Sequence, residues 1–141
     1  DLLSTFVVMN GDVLTDFNLT SLMATHHDKD SDMTICVKES RISVPFGVLE
    51  VDGEKVIGIE EKPVVRLLIN AGIYVMEPRT INYIPDEERF DMTDLITTLA
   101  KNDLKTFSYS ISEYWRDIGQ ISDYEQANRD IALGELPHDA K

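Results

Sequence analysis

Short apolar runs rich in β-branched residues alternate along this chain with stretches whose apolar positions fall at helical spacing. Residues 5–9 read as a buried strand, followed by a helix near 18–27 with Leu19, Leu22, Met23 and His26 on one face. Residues 33–38 read as a second buried strand, and Ser40 to Pro45 as a polar connector. Apolar runs on either side of Asp52-Gly53 predict a β-hairpin. Ile69 to Met76 reads as another strand, interrupted by Asn70-Ala71-Gly72, and Pro78 opens a short helix over 78–84. Met92, Leu95, Ile96, Leu99 and Ala100 mark an amphipathic helix, with Asp91 and Asp94 at its start, where the helix dipole favours acids. A strand near 105–110 precedes Trp115-Arg116-Asp117-Ile118-Gly119. Ser122 to Glu125 has capping-box spacing and predicts a last helix to about Leu133, ended by Gly134. Strands alternating with helices, plus one hairpin, predict an α/β domain with a mainly parallel sheet and a small antiparallel flap. The domain is expected over 1–133, with a flexible tail over 134–141.

Composition narrows the function classes. The 141 residues suffice for one domain with a real core. Against 13 basic side chains stand 26 acidic ones, a net charge of -13. That argues against a nucleic-acid surface, where Lys and Arg must meet phosphates. It leaves a nucleotide substrate open, because a metal ion can supply local positive charge. Cys36, inside Met33 to Val37, is expected to be a small buried hydrophobe, and one cysteine makes neither a disulfide nor a cysteine metal site within a chain. No apolar stretch reaches the roughly 18 residues of a membrane span, so no membrane partner is expected and the cytoplasm is the expected compartment. The histidines fall in no metal-ligand pattern.

Candidate chemistry begins at Asp12, which closes the run Thr5-Phe6-Val7-Val8-Met9-Asn10-Gly11-Asp12. A buried strand there delivers a carboxylate to its C-terminal tip, with Gly11 easing the turn, and ligands of open α/β sheets bind at that edge. Asp117 is a second such aspartate, and two carboxylates at strand ends can share one divalent cation that also grips a phosphate. Each, taken singly, also reads as a turn or cap residue. Glu61-Lys62-Pro63 places an acid and a point positive charge on a proline-stiffened loop; it also reads as a solvated charge cluster. Asn70, Ala71 and Gly72 leave room for a ligand to approach backbone, or mark a simple bulge. Gly47 allows a similar approach beside the hairpin. Trp115 either walls a pocket or fills the core.

Taken in order, Asn10-Gly11-Asp12, Phe46-Gly47, Glu61-Lys62-Pro63, Asn70-Ala71-Gly72 and Trp115-Arg116-Asp117-Ile118-Gly119 resemble the sugar-phosphate nucleotidyltransferase family, and within it the mannose-1-phosphate guanylyltransferase-like group. Phe90-Asp91-Met92-Thr93-Asp94-Leu95-Ile96 adds to the likeness, which covers about residues 5–131. The resemblance implies a partial Rossmann-like nucleotide-diphospho-sugar transferase fold. It implies a reaction between a nucleoside triphosphate and a sugar 1-phosphate that yields a nucleotide sugar and pyrophosphate. It implies Mg2+ held by Asp12 and Asp117, the sugar phosphate steadied by Lys62, and sugar hydroxyls bound by Glu61. Gly47, Asn70 and Gly72 match sugar-pocket positions. The family's glycine-rich Gly-x-Gly-Thr-Arg loop has no counterpart here, and Gln120 stands where many relatives have threonine. The expectation is therefore the C-terminal portion of a catalytic domain, inactive without its N-terminal part. A non-catalytic binding or assembly module of the same family is the alternative, and a homo-oligomer stays open. A glycosyltransferase of similar fold would usually show Asp-x-Asp where Asn10-Gly11-Asp12 stands.

Overall fold

The computed structural model describes residues 3–135; most of the tail expected over 134–141 lies outside the described residues. Eight strands and three α-helices follow in chain order: β1 (Phe6–Met9), β2 (Val13–Thr15), α1 (Leu19–Asp28), β3 (Met33–Ser43), β4 (Gly47–Asp52), β5 (Lys55–Glu61), β6 (Val64–Met76), α2 (Met92–Lys101), β7 (Thr106–Ser110), β8 (Trp115–Asp117) and α3 (Ile121–Ala132). A 3-10 helix, Pro78–Tyr83, begins at the proline that fits a first turn.

The chain divides into two compact units. One comprises residues up to Lys38 and from Asn70 onward; the other is Glu39–Ile69. The α/β expectation holds. The principal sheet has the order β1-β6-β3-β7 and is mixed. β1 runs antiparallel to β6, from Phe6 opposite Met76 to Met9 opposite Ile73, while β3 and β7 run parallel, from Met33 opposite Thr106 to Val37 opposite Ser110.

Alternation along β6 explains the core of the first unit. Ile73 and Val75 pack with Leu22 of α1 and Cys36 of β3, whereas Tyr74 and Met76 pack with Leu95 and Leu99 of α2 and Met33. A strand buried on both faces reads as a continuous apolar run, and Ala71 to Met76 is buried throughout. Fully burying side chains such as Leu22 and Leu99 is worth about 1.5–3 kcal/mol each. Cys36 is buried as expected, and burial pushes its thiol up to about 12. His26 is buried too. Its Nδ1 meets the Thr34 hydroxyl at 2.8 Å and its Nε2 meets Glu77 at 3.2 Å, a structural pairing.

Four local expectations are corrected. β3 runs on through Ser43, where a polar connector was expected from Ser40, because backbone pairing outlasts the apolar run. β1, expected to be a buried strand over 5–9, is a half-exposed strand with Val7 and Met9 open, because it pairs with β6 along one side at the end of the sheet order. β2, which was not foreseen, has three residues, too few to show a period. Helix α3 starts at Ile121 with Gln120 as its N-cap and no side-chain cap, because the N–H groups of Asp123 and Tyr124 already reach the Gln120 carbonyl. The capping box instead opens α2, where the Asp91 backbone N–H donates to Asp94 at 3.0 Å.

The second unit contains the predicted hairpin. Antiparallel β4 and β5 pair from Gly47 opposite Glu61 to Asp52 opposite Lys55, with a register shift at Glu50/Val51.

Candidate active site

In the first unit, the tip of β1 and the short β2/β8 ladder place the two aspartates together. Val13 lies opposite Asp117, and the Ile118 N–H donates to the Asp12 carbonyl at 2.8 Å. Residues far apart in sequence thus share one strand edge. Gly119 lies against both of their side chains. A Cβ on it would lie 3.1 Å from both Asp117 Oδ1 and Asp12 Oδ2, so those oxygens are at most about 6 Å apart. The Gly119 N–H donates to Asp117 Oδ1 at 2.9 Å, which orients that carboxylate. Both aspartates are exposed.

Beside this pair, β1 meets the Asn70-Ala71-Gly72 interruption of β6. The Asn10 N–H donates to the Gly72 carbonyl at 2.9 Å. Gly72 has φ +71, and a Cβ there would come within 2.7 Å of Asn10 Nδ2, so the position requires glycine for both conformation and space. Asn70 braces the same turn: its Oδ1 accepts from the Gly72 N–H at 3.0 Å and its Nδ2 donates to the Tyr74 hydroxyl at 2.8 Å. Trp115 packs on the core with one side, and its indole N–H donates to the Ala71 carbonyl at 2.8 Å. Next to it, Trp115, Arg116, Asp117, Gln120 and Asp123 line a pocket of about 360 Å³.

The other expected residues belong to the second unit. Gly47 faces Glu61 across the hairpin, and a Cβ on Gly47 would come within 3.0 Å of Glu61 Oε2 and of Ile59 Cδ1. Lys62 follows with φ 49, a left-handed backbone that costs a non-glycine residue about 1–2 kcal/mol. Pro63 ordinarily pushes its predecessor toward extended backbone. Strain held against both preferences at a charged residue is a pointer to function. The Lys62 N–H donates to the Phe46 carbonyl at 3.2 Å and the Val44 N–H to the Pro63 carbonyl at 3.0 Å, which keeps the turn in place.

Sequence reasoning missed Gly119 as the space between the carboxylates and Asn10 as the neighbour that demands Gly72. It gave Gly11 a steric role that the structure does not need, since a Cβ there would meet nothing within 4 Å. Among the described residues no cluster of three or more His, Cys, Asp or Glu side chains could hold a metal. Two carboxylates fit Mg2+ all the same, which usually keeps several waters and binds through one or two carboxylates plus substrate phosphates.

A mixed sheet with helices packed on both faces, and with two carboxylates close together at a strand tip, defines an α/β domain. The chain belongs to the nucleotidyl transferase family, whose model matches residues 2–133. It is 35% identical over 140 residues to the UTP–glucose-1-phosphate uridylyltransferase of Synechocystis sp., covering 94% of this chain and 36% of that protein. It is 32% identical to the mannose-1-phosphate guanylyltransferase of Mycobacterium tuberculosis, covering 96% and 39%. The chain therefore spans under two fifths of the curated relatives it matches. Among solved structures, HddC from Yersinia pseudotuberculosis superposes with a TM-score of 0.61 at 27% identity, covering 91% of this chain and 56% of that one. A Bacillus anthracis structure, assigned as a glucose-1-phosphate thymidylyltransferase and containing sucrose, has a TM-score of 0.64 at 22% identity over 98% of this chain and 57% of that one, a likeness of fold. No helix among the described residues is long and apolar enough to cross a membrane.

Proposed function

We propose that this chain carries the cation- and sugar-binding part of a sugar-1-phosphate nucleotidyltransferase. The observation that carries the reading is the convergence of Asp12 and Asp117 on the bare Cα of Gly119. In the reaction a sugar 1-phosphate oxygen attacks the α-phosphorus of a nucleoside triphosphate. A new P–O bond forms, the bridge to the β-phosphate breaks, and pyrophosphate leaves. Such chemistry depends on positioning and charge neutralisation more than on proton transfer. Asp12 and Asp117 would hold Mg2+, which when bound neutralises phosphate charge. Lys62 steadies the sugar phosphate as a point charge, its position set by the strained turn before Pro63. Glu61 accepts hydrogen bonds from sugar hydroxyls, with Gly47 opposite it leaving the space. Asn70 and Gly72 shape the pocket floor through their turn against Asn10.

Relatives naming uridylyl and guanylyl transfer lie at similar identities, 35% and 32%. A mannose-1-phosphate guanylyltransferase-like specificity rests on the motif resemblance and the Mycobacterium tuberculosis relative. The test is pyrophosphate release by the intact protein across triphosphates and sugar 1-phosphates. Asp12→Asn and Asp117→Asn should each remove most Mg2+-dependent turnover, about a hundredfold on the scale of a lost charge-stabilising group. Unchanged rates in both variants remove the pair from the reaction.

A further inference from the structure

Strand β8 carries Asp117 yet has three residues and, among the described residues, pairs only with β2, also three residues long. A two-stranded ladder of that length is not stable by itself. Beyond the packing of Val13 and Trp115 on the core, what holds it is polar. On one face the Trp115 indole reaches the Ala71 carbonyl. On the other, Tyr114, just before the strand, and Arg116, within it, both reach Asp130 of α3. Asp130 is 3% exposed and fully engaged. Its Oδ2 accepts from the Tyr114 hydroxyl at 2.8 Å and from Arg116 at 3.0 Å through Nε and 2.8 Å through the terminal nitrogen; its Oδ1 accepts from Gln126 at 2.7 Å. Arg116 Nε also reaches the Tyr114 hydroxyl at 3.1 Å. An aspartate in the last turn of a helix opposes the helix dipole. It also takes a core position beside buried Ala127, where local rules ask for an apolar residue. A local rule broken and then fully compensated by tertiary contacts marks a position kept for a purpose.

We infer that Asp130 is a positioning residue: by clamping Tyr114 and Arg116 it fixes the strand that holds Asp117 opposite Asp12, and so sets the geometry of the cation pair. The inference rests on the metal reading of those two aspartates for its functional consequence, and on β8 alone for its structural one. Both arms of the test use the intact protein. Asp130→Asn keeps the shape and removes the charge. Asp32→Asn does the same at another buried carboxylate, which accepts from the Lys105 backbone N–H at 2.7 Å and pairs with Arg79. Hydrogen exchange at the Ile118 amide reports the β2/β8 ladder; Mn2+ titration by electron paramagnetic resonance reports the pair. Asp130→Asn should speed Ile118 exchange and weaken Mn2+ about tenfold, the low end for loss of a ligand's supporting partner. Asp32→Asn should do neither. If Asp130→Asn changes exchange and Mn2+ affinity no more than Asp32→Asn does, the inference is overturned. If the wild type binds Mn2+ no better than Asp12→Asn does, the metal reading falls and Ile118 exchange alone decides the positioning role. Tyr114→Phe, which deletes one donor and keeps the ring, carries the same comparison should Asp130→Asn not fold.

Discussion

Gly119→Ala separates the fold from the cation site. The new Cβ would lie 3.1 Å from Asp117 Oδ1 and 3.1 Å from Asp12 Oδ2, tighter than ordinary van der Waals contact. Both neighbours are ends of exposed side chains, so each can retreat by a few tenths of an ångström. The Gly119 φ lies outside the left-handed region, and alanine adopts it without backbone strain. Removing glycine's freedom from the unfolded chain stabilises by about 0.4–1 kcal/mol. The net change in folding free energy should therefore stay within about 1 kcal/mol. A metal site is far less tolerant, since its ligand distances hold to about ±0.2 Å. A displacement of a few tenths at both carboxylates is as large as that margin. Mn2+ affinity should fall at least about tenfold, read by electron paramagnetic resonance, while the urea midpoint of the same sample barely moves. An alanine variant that binds Mn2+ like the wild type would refute the reasoning, because the ion could not then depend on the space beside Gly119.

Two further outcomes follow from particular contacts. Gly72→Ala should cost about 2–4 kcal/mol, from left-handed backbone and from overlap with Asn10, whose Cγ would lie 2.9 Å from the new atom; urea unfolding measures it, and wild-type stability would sink the account. Glu77 is held below its ordinary 4.5 chiefly by the Thr5 hydroxyl, with His26 assisting. A depressed folded pKa contributes stability above the ordinary value and loses it as pH falls through the folded one. Glu77→Gln should thus be least stable relative to the wild type at neutral pH, with the gap closing well below pH 4.5; a gap independent of pH would contradict that assignment.

Much of this protein was legible along the chain because its signals are local. The helical spacing of Leu95 and Leu99 and the Asp52-Gly53 hairpin each rest on contacts within a few residues, and each appears where the pattern places it; the strand before Asn10 also forms, but half-exposed rather than buried. The order of short motifs from Asp12 to Asp117 was enough to name a family, and the family model matches nearly the whole chain. The misses have equally physical causes. Three-residue strands have no readable period, and the continuation of β3 past Lys38 depends on a neighbouring backbone. The capping-box spacing at Ser122 was a local signal overruled by an earlier turn on Gln120.

By itself the sequence determined which carboxylates, lysine and glycines were worth asking about, since residue type fixes what a group can donate, accept or leave empty. Only the tertiary structure decided that Asp12 and Asp117 are neighbours, that the gap between them is Gly119, that Gly72 is required by Asn10, and that Asp130 holds the strand behind them. Those facts are distances between residues remote in the chain. Periodicity carries no information about them, because they arise when strand pairing closes the loops between those residues.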